Sequence, residues 1–237
     1  YEAVAEHLAP SIPQNVRLGA DLGGAAACIS NLGAAEDLTR EVYRLRKRKL
    51  PDEVDAIRAA IGITEAMYAA AKEAVRPGVN EVEVLAQLRA AATLAASEDL
   101  EYMGNDFRAN DMGGLARRRR MEAGELYILD AGAVLHGYYA DNCRTFAVDR
   151  SPSETQMKAQ EHIDALFPQL EAAVAPGVKG QEIFQLANQY LGQDGYSGLV
   201  HHLGHGIGLA PHETPELNPE YDAVFEGGDV FAMEPGL

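Results

Sequence analysis

The sequence predicts an α+β chain built as two pseudo-symmetric αβ halves, and three observations carry that expectation. Residues 126–148, LYILDAGAVLHGYYADNCRTFAV, read as a hairpin with an aspartate on each arm. The stretch 123–132, AGELYILDAG, returns at 227–236 as GGDVFAMEPG, with a Gly-acid turn, four mostly apolar residues, a carboxylate, and a closing Gly in both. Upstream, EAVRPGVNEVEVLAQL at 73–88 returns at 171–186 as EAAVAPGVKGQEIFQL. Two matched blocks in one order argue for an internal duplication. Asp130 and Glu234 fall on the same place in the two copies, so a pseudo-twofold should bring carboxylate-bearing strand ends from each half to one centre.

Taken in order, residues 1–45 suggest a short amphipathic start, then a small piece of strand and helix around Arg17–Gly24 and the loop Ser30–Gly33. That is too little chain for its own core. Arg44-Leu-Arg-Lys-Arg-Lys-Leu-Pro51 is basic and ends in Pro, which suits a boundary and a new helix start, so a second domain is expected over 46–237. From Asp52 to Val75, Val54, Ile57, Ile61, Met67, Ala71 and Val75 recur at helical spacing, and Pro77-Gly78 stops the helix. Asn80 with Glu83 makes a capping box for the next one, through Ala96. Tyr102 to Leu115 reads as a loop of turn residues, and Arg117–Arg120 as a solvated edge or an anion clamp for a substrate carboxylate or a neighbouring subunit. After the hairpin, Ser151-Pro152 opens a helix that Pro168 kinks or ends, and a short helix follows Pro176-Gly177 to Leu191.

Within the hairpin, a turn centred between Leu135 and His136 places Asp130 opposite Asp141. Directly opposed side chains sit roughly 5 Å apart at Cβ, and like charges there repel unless a cation lies between them. The alternative is one Asp capping a turn and the other facing water. Residues 201–216, HHLGHGIGLAPHETPE, carry His201, His202, His205 and His212, four of the chain's seven histidines, interleaved with Gly204, Gly206 and Gly208. Such a cluster suggests ligands or acid–base groups. Imidazole with carboxylate suits Mn, Fe, Co or Zn, and nothing matches a Cys-rich structural zinc pattern.

Composition limits the alternatives. A chain of 237 residues that is 47% hydrophobic can bury a substantial core. No apolar run approaches the ~20 residues of a membrane span, and the start YEAVAEHLAP lacks the basic and apolar regions of a signal peptide. With Cys28 and Cys143 as its two cysteines, no disulfide framework is expected and a reducing compartment fits. A formal net charge of −16 argues against nucleic acid and anionic membrane as partners. The expected location is the cytoplasm.

LDAG…ADNCRTF, HHLGHGIGL…H and MEPG, in that order, resemble the pita-bread metallopeptidases, which include Xaa-Pro aminopeptidase and Xaa-Pro dipeptidase (prolidase). The resemblance covers about residues 46–237 and implies the pita-bread (creatinase/aminopeptidase) fold, a curved antiparallel sheet shared by two αβ halves. Residues 1–45 would be the remnant of the small N-terminal domain of such enzymes. The resemblance further implies two divalent metal ions, with Mn²⁺ first and Zn²⁺, Co²⁺ or Fe²⁺ as alternatives. Asp141 would bridge them, Asp130 would hold one, and His205 with Glu234 the other; His212 and His201 would line the site, with His212 near the scissile peptide. The implied reaction is hydrolysis of short peptides next to proline through a metal-bound hydroxide, Glu234 carrying the proton to the leaving amine. A homodimer is implied as well. The family's fifth ligand, a glutamate on the strand after MEPG, has no counterpart before Leu237, from which a C-terminally truncated chain is expected. Residues 102–129 also contain no histidine, where the family usually places one. Alternatives are a non-catalytic peptide-binding protein on the same fold and a creatinase-like C–N hydrolase.

Overall fold

The computed structural model describes residues 2–13, 15–21, 27, 29–30, 32–193, 195–199 and 201–237. Cys28, Asn31 and the Leu22-Gly-Gly part of the first expected strand–helix piece lie outside the described residues. The chain divides into two compact units, Tyr1–Lys47 and Arg48–Leu237. In the first unit, α1 (Glu2–Leu8) is followed by β1 (Arg17–Ala20) and β2 (Ala34–Asp37), which pair in parallel, and by α2 (Thr39–Lys47). Among the described residues, no helix is long and apolar enough to cross a membrane.

The second unit opens on α3 (Pro51–Ala74), whose first turn is set by Pro51 and by Glu53 Oε2 accepting from Leu50 N at 2.8 Å. Ile57, Ala60, Ile63, Met67 and Ala71 form its buried stripe at three- and four-residue spacing. α4 (Glu81–Ala96) begins at the expected capping box: Asn80 Oδ1 accepts from Val82 N at 2.9 Å, and Glu83 reaches back to Asn80 N. These two helices cover β3 (Asp106–Ala109), β4 (Leu126–Ala131) and β7 (Asn142–Ala147), an antiparallel sheet in the order β3-β4-β7. Tyr127, Leu129 and Phe107 from the sheet meet Met67, Val84 and Leu88 in one core. β5 (Val134–Leu135) and β6 (Tyr138–Tyr139) form the hairpin tip between β4 and β7.

The second half repeats the plan. α5 (Glu154–Asp164) ends before Pro168, which sits in the first turn of α6 (Phe167–Ala173), and α7 (Gly180–Leu191) follows. β8 (Gly204–Gly206) lies between β10 (Phe231–Met233) and β9 (Glu213–Leu217). The duplication is visible bond by bond. Gly78 N donates to Met121 O at 2.8 Å and Met121 N to Val79 O at 2.9 Å; in the other half Gly177 N donates to Phe225 O at 2.9 Å and Phe225 N to Val178 O at 2.8 Å. The Gly-acid turns match too: Glu125 accepts from Glu122 N at 2.9 Å, and Asp229 from Glu226 N at 2.8 Å.

Three local expectations change. β3 forms inside the stretch read as a loop; its four residues alternate half-buried and buried, too short a pattern to stand out among flanking Gly, Asn and Asp. Of the arginine run, Arg117 pairs with the fully buried Glu81 carboxylate at 2.7 Å and Arg119 with Glu125, so both neutralise the chain's own carboxylates rather than clamp an external anion. The Leu135-His136-Gly137 turn is centred between His136 and Gly137, not between Leu135 and His136. Both central residues have positive φ, 51° and 83°, as a type I′ turn requires and as a leucine resists. Asp130 therefore faces Cys143 instead of Asp141. The slip is two residues, so both aspartates stay on one face of the sheet, now as diagonal neighbours.

Candidate metal centre

Asp130 is the fifth residue of β4, opposite Asp106 on one side and Cys143 on the other. Asp141 sits in the break between β6 and β7. Gly132 opens that break, because a Cβ there would lie 2.1 Å from Ala140 O, and the backbone could not otherwise close. The carboxyls of Asp130 and Asp141 lie close enough for the charge of Asp141 to bear on Asp130. His205 is the centre of β8, opposite Ala232 and Glu216, and 3% exposed. Glu234 follows β10 directly, its N donating to Leu203 O at 2.8 Å.

These four side chains, two from each half, converge. His205 Nε2 lies 3.3 Å from Asp141 Oδ2 and 3.4 Å from Glu234 Oε1. Its other nitrogen, Nδ1, is 3.1 Å from Gly206 O, an oxygen that can only accept, so Nδ1 carries the hydrogen. A neutral His205 would then aim the Nε2 lone pair at two carboxylate oxygens. The arrangement requires a positive centre at Nε2, a proton or a cation.

The carboxylates give the same answer. Burial, then the charges of Asp141 and Glu234, push the Asp130 carboxyl above its ordinary range. Burial also raises Asp141, offset in part by His205. Burial works to raise Glu234 as well, but hydrogen bonds from His202 and His205 outweigh it and hold the group at about 2. Three carboxylates and an imidazole focused on one spot suit a divalent cation, with the mixed O/N character of Mn, Fe, Co or Zn. The donor set fits the group that the sequence implied.

His212 stacks on His205 with ring centroids 3.7 Å apart, on the solvent side. Burial, then the neighbouring His205 and His202, lower its proton affinity. The loop that carries it is held by Tyr139 N donating to Gly208 O at 2.8 Å and by the Glu213 carboxylate accepting from Ala210 N at 3.1 Å. Glu213 in turn meets Lys49 at 3.0 Å, both side chains 1% exposed. His201 stands one imidazole further out, its ring edge-on to His202 at 5.6 Å. The segment before β3 brings Tyr102 to the rim, where burial and then Asp130 and Asp141 disfavour its ionisation.

Two contacts were not foreseen from the sequence. His202 Nε2 is 2.9 Å from Glu234 Oε1, and the ligand nitrogens of His202, His205 and His212 lie within 4.8 Å of one another. Its place in the histidine cluster was the available signal. The Lys49–Glu213 pair had none, its partners being 164 residues apart.

With two αβ halves about a polar centre of carboxylates and imidazoles, the chain has the pita-bread fold. Residues 55–237 match the profile of metallopeptidase family M24, and the chain belongs to that family. The Xaa-Pro dipeptidase of Pyrococcus furiosus is 29% identical over 212 residues, 88% of this chain and 61% of that protein. An uncharacterized peptidase of Bacillus subtilis, YqhT, is 29% identical over 205 residues, 84% of this chain and 58% of its own length. The structure matches the prolidase from Pyrococcus furiosus with a TM-score of 0.82 at 25% identity, covering 99% of this chain and 71% of that one. It shares its fold with the X-Pro aminopeptidase of Thermotoga maritima at a TM-score of 0.82 and 23% identity, over 99% of this chain and 68% of that one. The chain thus spans about three fifths of the length of the curated relatives it matches.

Proposed function

We propose that the chain carries the centre of a metal-dependent peptidase that hydrolyses short peptides next to proline, as an aminopeptidase or dipeptidase. The observation that carries this reading is the approach of His205 Nε2 to Asp141 Oδ2 and Glu234 Oε1, at 3.3 and 3.4 Å, one donor set drawn from both halves. Asp130, Asp141, His205 and Glu234 would hold two divalent ions, Mn²⁺ first among the candidates, with Asp141 between them. When bound, such ions act as Lewis acids toward water and the scissile carbonyl.

The remaining steps belong to side chains. His212, its proton affinity lowered by its surroundings and its side chain open to solvent, would donate to the carbonyl oxygen of the substrate. Glu234 would carry the proton lost by water to the leaving nitrogen. His201, exposed at the edge, orients the peptide. The negative charge of −16 supports the cytoplasm as the location, and the family likeness supports a homodimer, which light scattering checks.

The test is hydrolysis of Xaa-Pro dipeptides and tripeptides by the Mn²⁺-loaded protein, followed by amine release. Cleavage on the N-terminal side of proline, abolished in Asp141→Ala, is the expected result. A second reading, peptide binding without cleavage, is favoured by the absence of histidine from residues 102–129. Calorimetric binding of the same peptides without product would select it.

A further inference from the structure

We infer that His202 is itself a metal-ligating residue, so that the ion held by His205 and Glu234 has two imidazoles and not one. The inference rests on the metal reading above and deepens it. Glu234 Oε1 is 2.9 Å from His202 Nε2 and 3.4 Å from His205 Nε2, and His205 Nε2 is 3.3 Å from Asp141 Oδ2. Ligand atoms sharing one ion at about 2.1 Å are separated by about 3.0 Å along an octahedral edge and about 3.4 Å along a tetrahedral edge. The three spacings lie close to those edge lengths, and the ligand nitrogens of His202 and His205 lie within 4.8 Å of each other, so His202, Glu234, His205 and Asp141 form a chain of neighbouring donors. The His202 and His205 rings are 5.5 Å apart and inclined at 72°, which lets both Nε2 atoms reach a common point without the rings colliding. His212 lies parallel to His205 instead, and is left to face the substrate.

Backbone geometry holds His202 in this role. It is three residues before His205, with Leu203 fully buried between them and accepting from Glu234 N at 2.8 Å. Gly204 seats β8 against β10, where a Cβ would meet Ala232 O at 2.1 Å. The backbone flanking His202 is thereby fixed to the same strand that presents Glu234. Two imidazoles and a carboxylate on one ion shift its preference toward softer, nitrogen-seeking metals, above all Cu²⁺ and Zn²⁺ relative to Mn²⁺.

The experiment is pulsed electron paramagnetic resonance with less than one equivalent of Cu²⁺, which seeks the imidazole-rich position and reports each bound imidazole as a nitrogen coupling. Two coupled imidazoles are expected in the unaltered protein. One is expected in His202→Ala and in His202→Gln, the latter keeping a hydrogen-bond donor for Glu234, while His201→Ala retains two. The His202 side chain is 37% exposed, so folding is checked simply by far-ultraviolet circular dichroism without metal. An equal count in the unaltered protein and in both His202 variants overturns the inference and leaves His202 as a hydrogen-bond partner of Glu234, with the metal reading intact. Failure of the unaltered protein to take up Cu²⁺, with Mn²⁺ also unbound, overturns the metal reading and this inference together.

Discussion

Asp141 draws its importance from a break in the hairpin, where Gly132 lets the backbone turn a carboxylate toward both Asp130 and His205. Asp141→Ala is expected to remove both ions, measured by elemental analysis after Mn²⁺ loading; retention of a full complement would exclude a bridging role. His212→Ala should leave metal content unchanged and lower kcat/KM by roughly 10²-fold, the lower end of what a positioned proton donor contributes. Unchanged turnover of a proline dipeptide would make His212 a packing residue. At this scale much was legible, because Asp130, Asp141, His205, His212 and Glu234 are all chemically conspicuous side chains in short motifs. His202 was named only as a member of the histidine cluster, since nothing in a linear sequence says which of two adjacent imidazoles turns inward.

At the scale of elements, the loop between β8 and β9 depends on a charge pair it does not contain. Breaking a buried pair by removing one partner costs about 3–5 kcal/mol, since the other charge is left unsolvated. Lys49→Met is expected to destabilise by about that amount, and Lys49→Met with Glu213→Leu to recover most of it, both read by urea unfolding. Glu81 gives a separate, pH-dependent case. Burial would raise its pKa, but bonds from Arg117 and Ala109 N outweigh that and hold it below its ordinary value. A group depressed in the folded state contributes fully above its unfolded value near 4.5, and the contribution is lost as pH falls through the folded value. Stability should therefore fall more steeply below about pH 4.5 in the unaltered protein than in Glu81→Gln, by acid titration of the unfolding midpoint. The helices and their caps were readable from period and punctuation. The turn centre was missed by one residue, and so the strand pairing by two, because it hinges on which residue tolerates positive φ; β3 was missed because four residues hold barely one alternation.

For the whole molecule, the two copies of one αβ plan each bring carboxylates to the same centre, so a metal bound there would tie the halves together. An ion bound only by the folded state at 100 times its dissociation constant stabilises by about 2.7 kcal/mol, or roughly 5–10 °C for a chain of this size. Chelation should lower the melting temperature by that amount, and the shift should vanish in Asp141→Ala. The duplication itself was legible end to end, since matched turns and carboxylates survive where the intervening residues differ. The contact between Lys49 and Glu213 closes a loop of 164 residues, and the partner segments of the centre lie far apart along the chain. Nearly the whole unit must be in place before the histidine loop is anchored. Closing such distant contacts is slow because the chain entropy is lost before the contact repays it. Refolding should then proceed at a rate indifferent to added metal, with ion uptake a late event that reports completion of the fold.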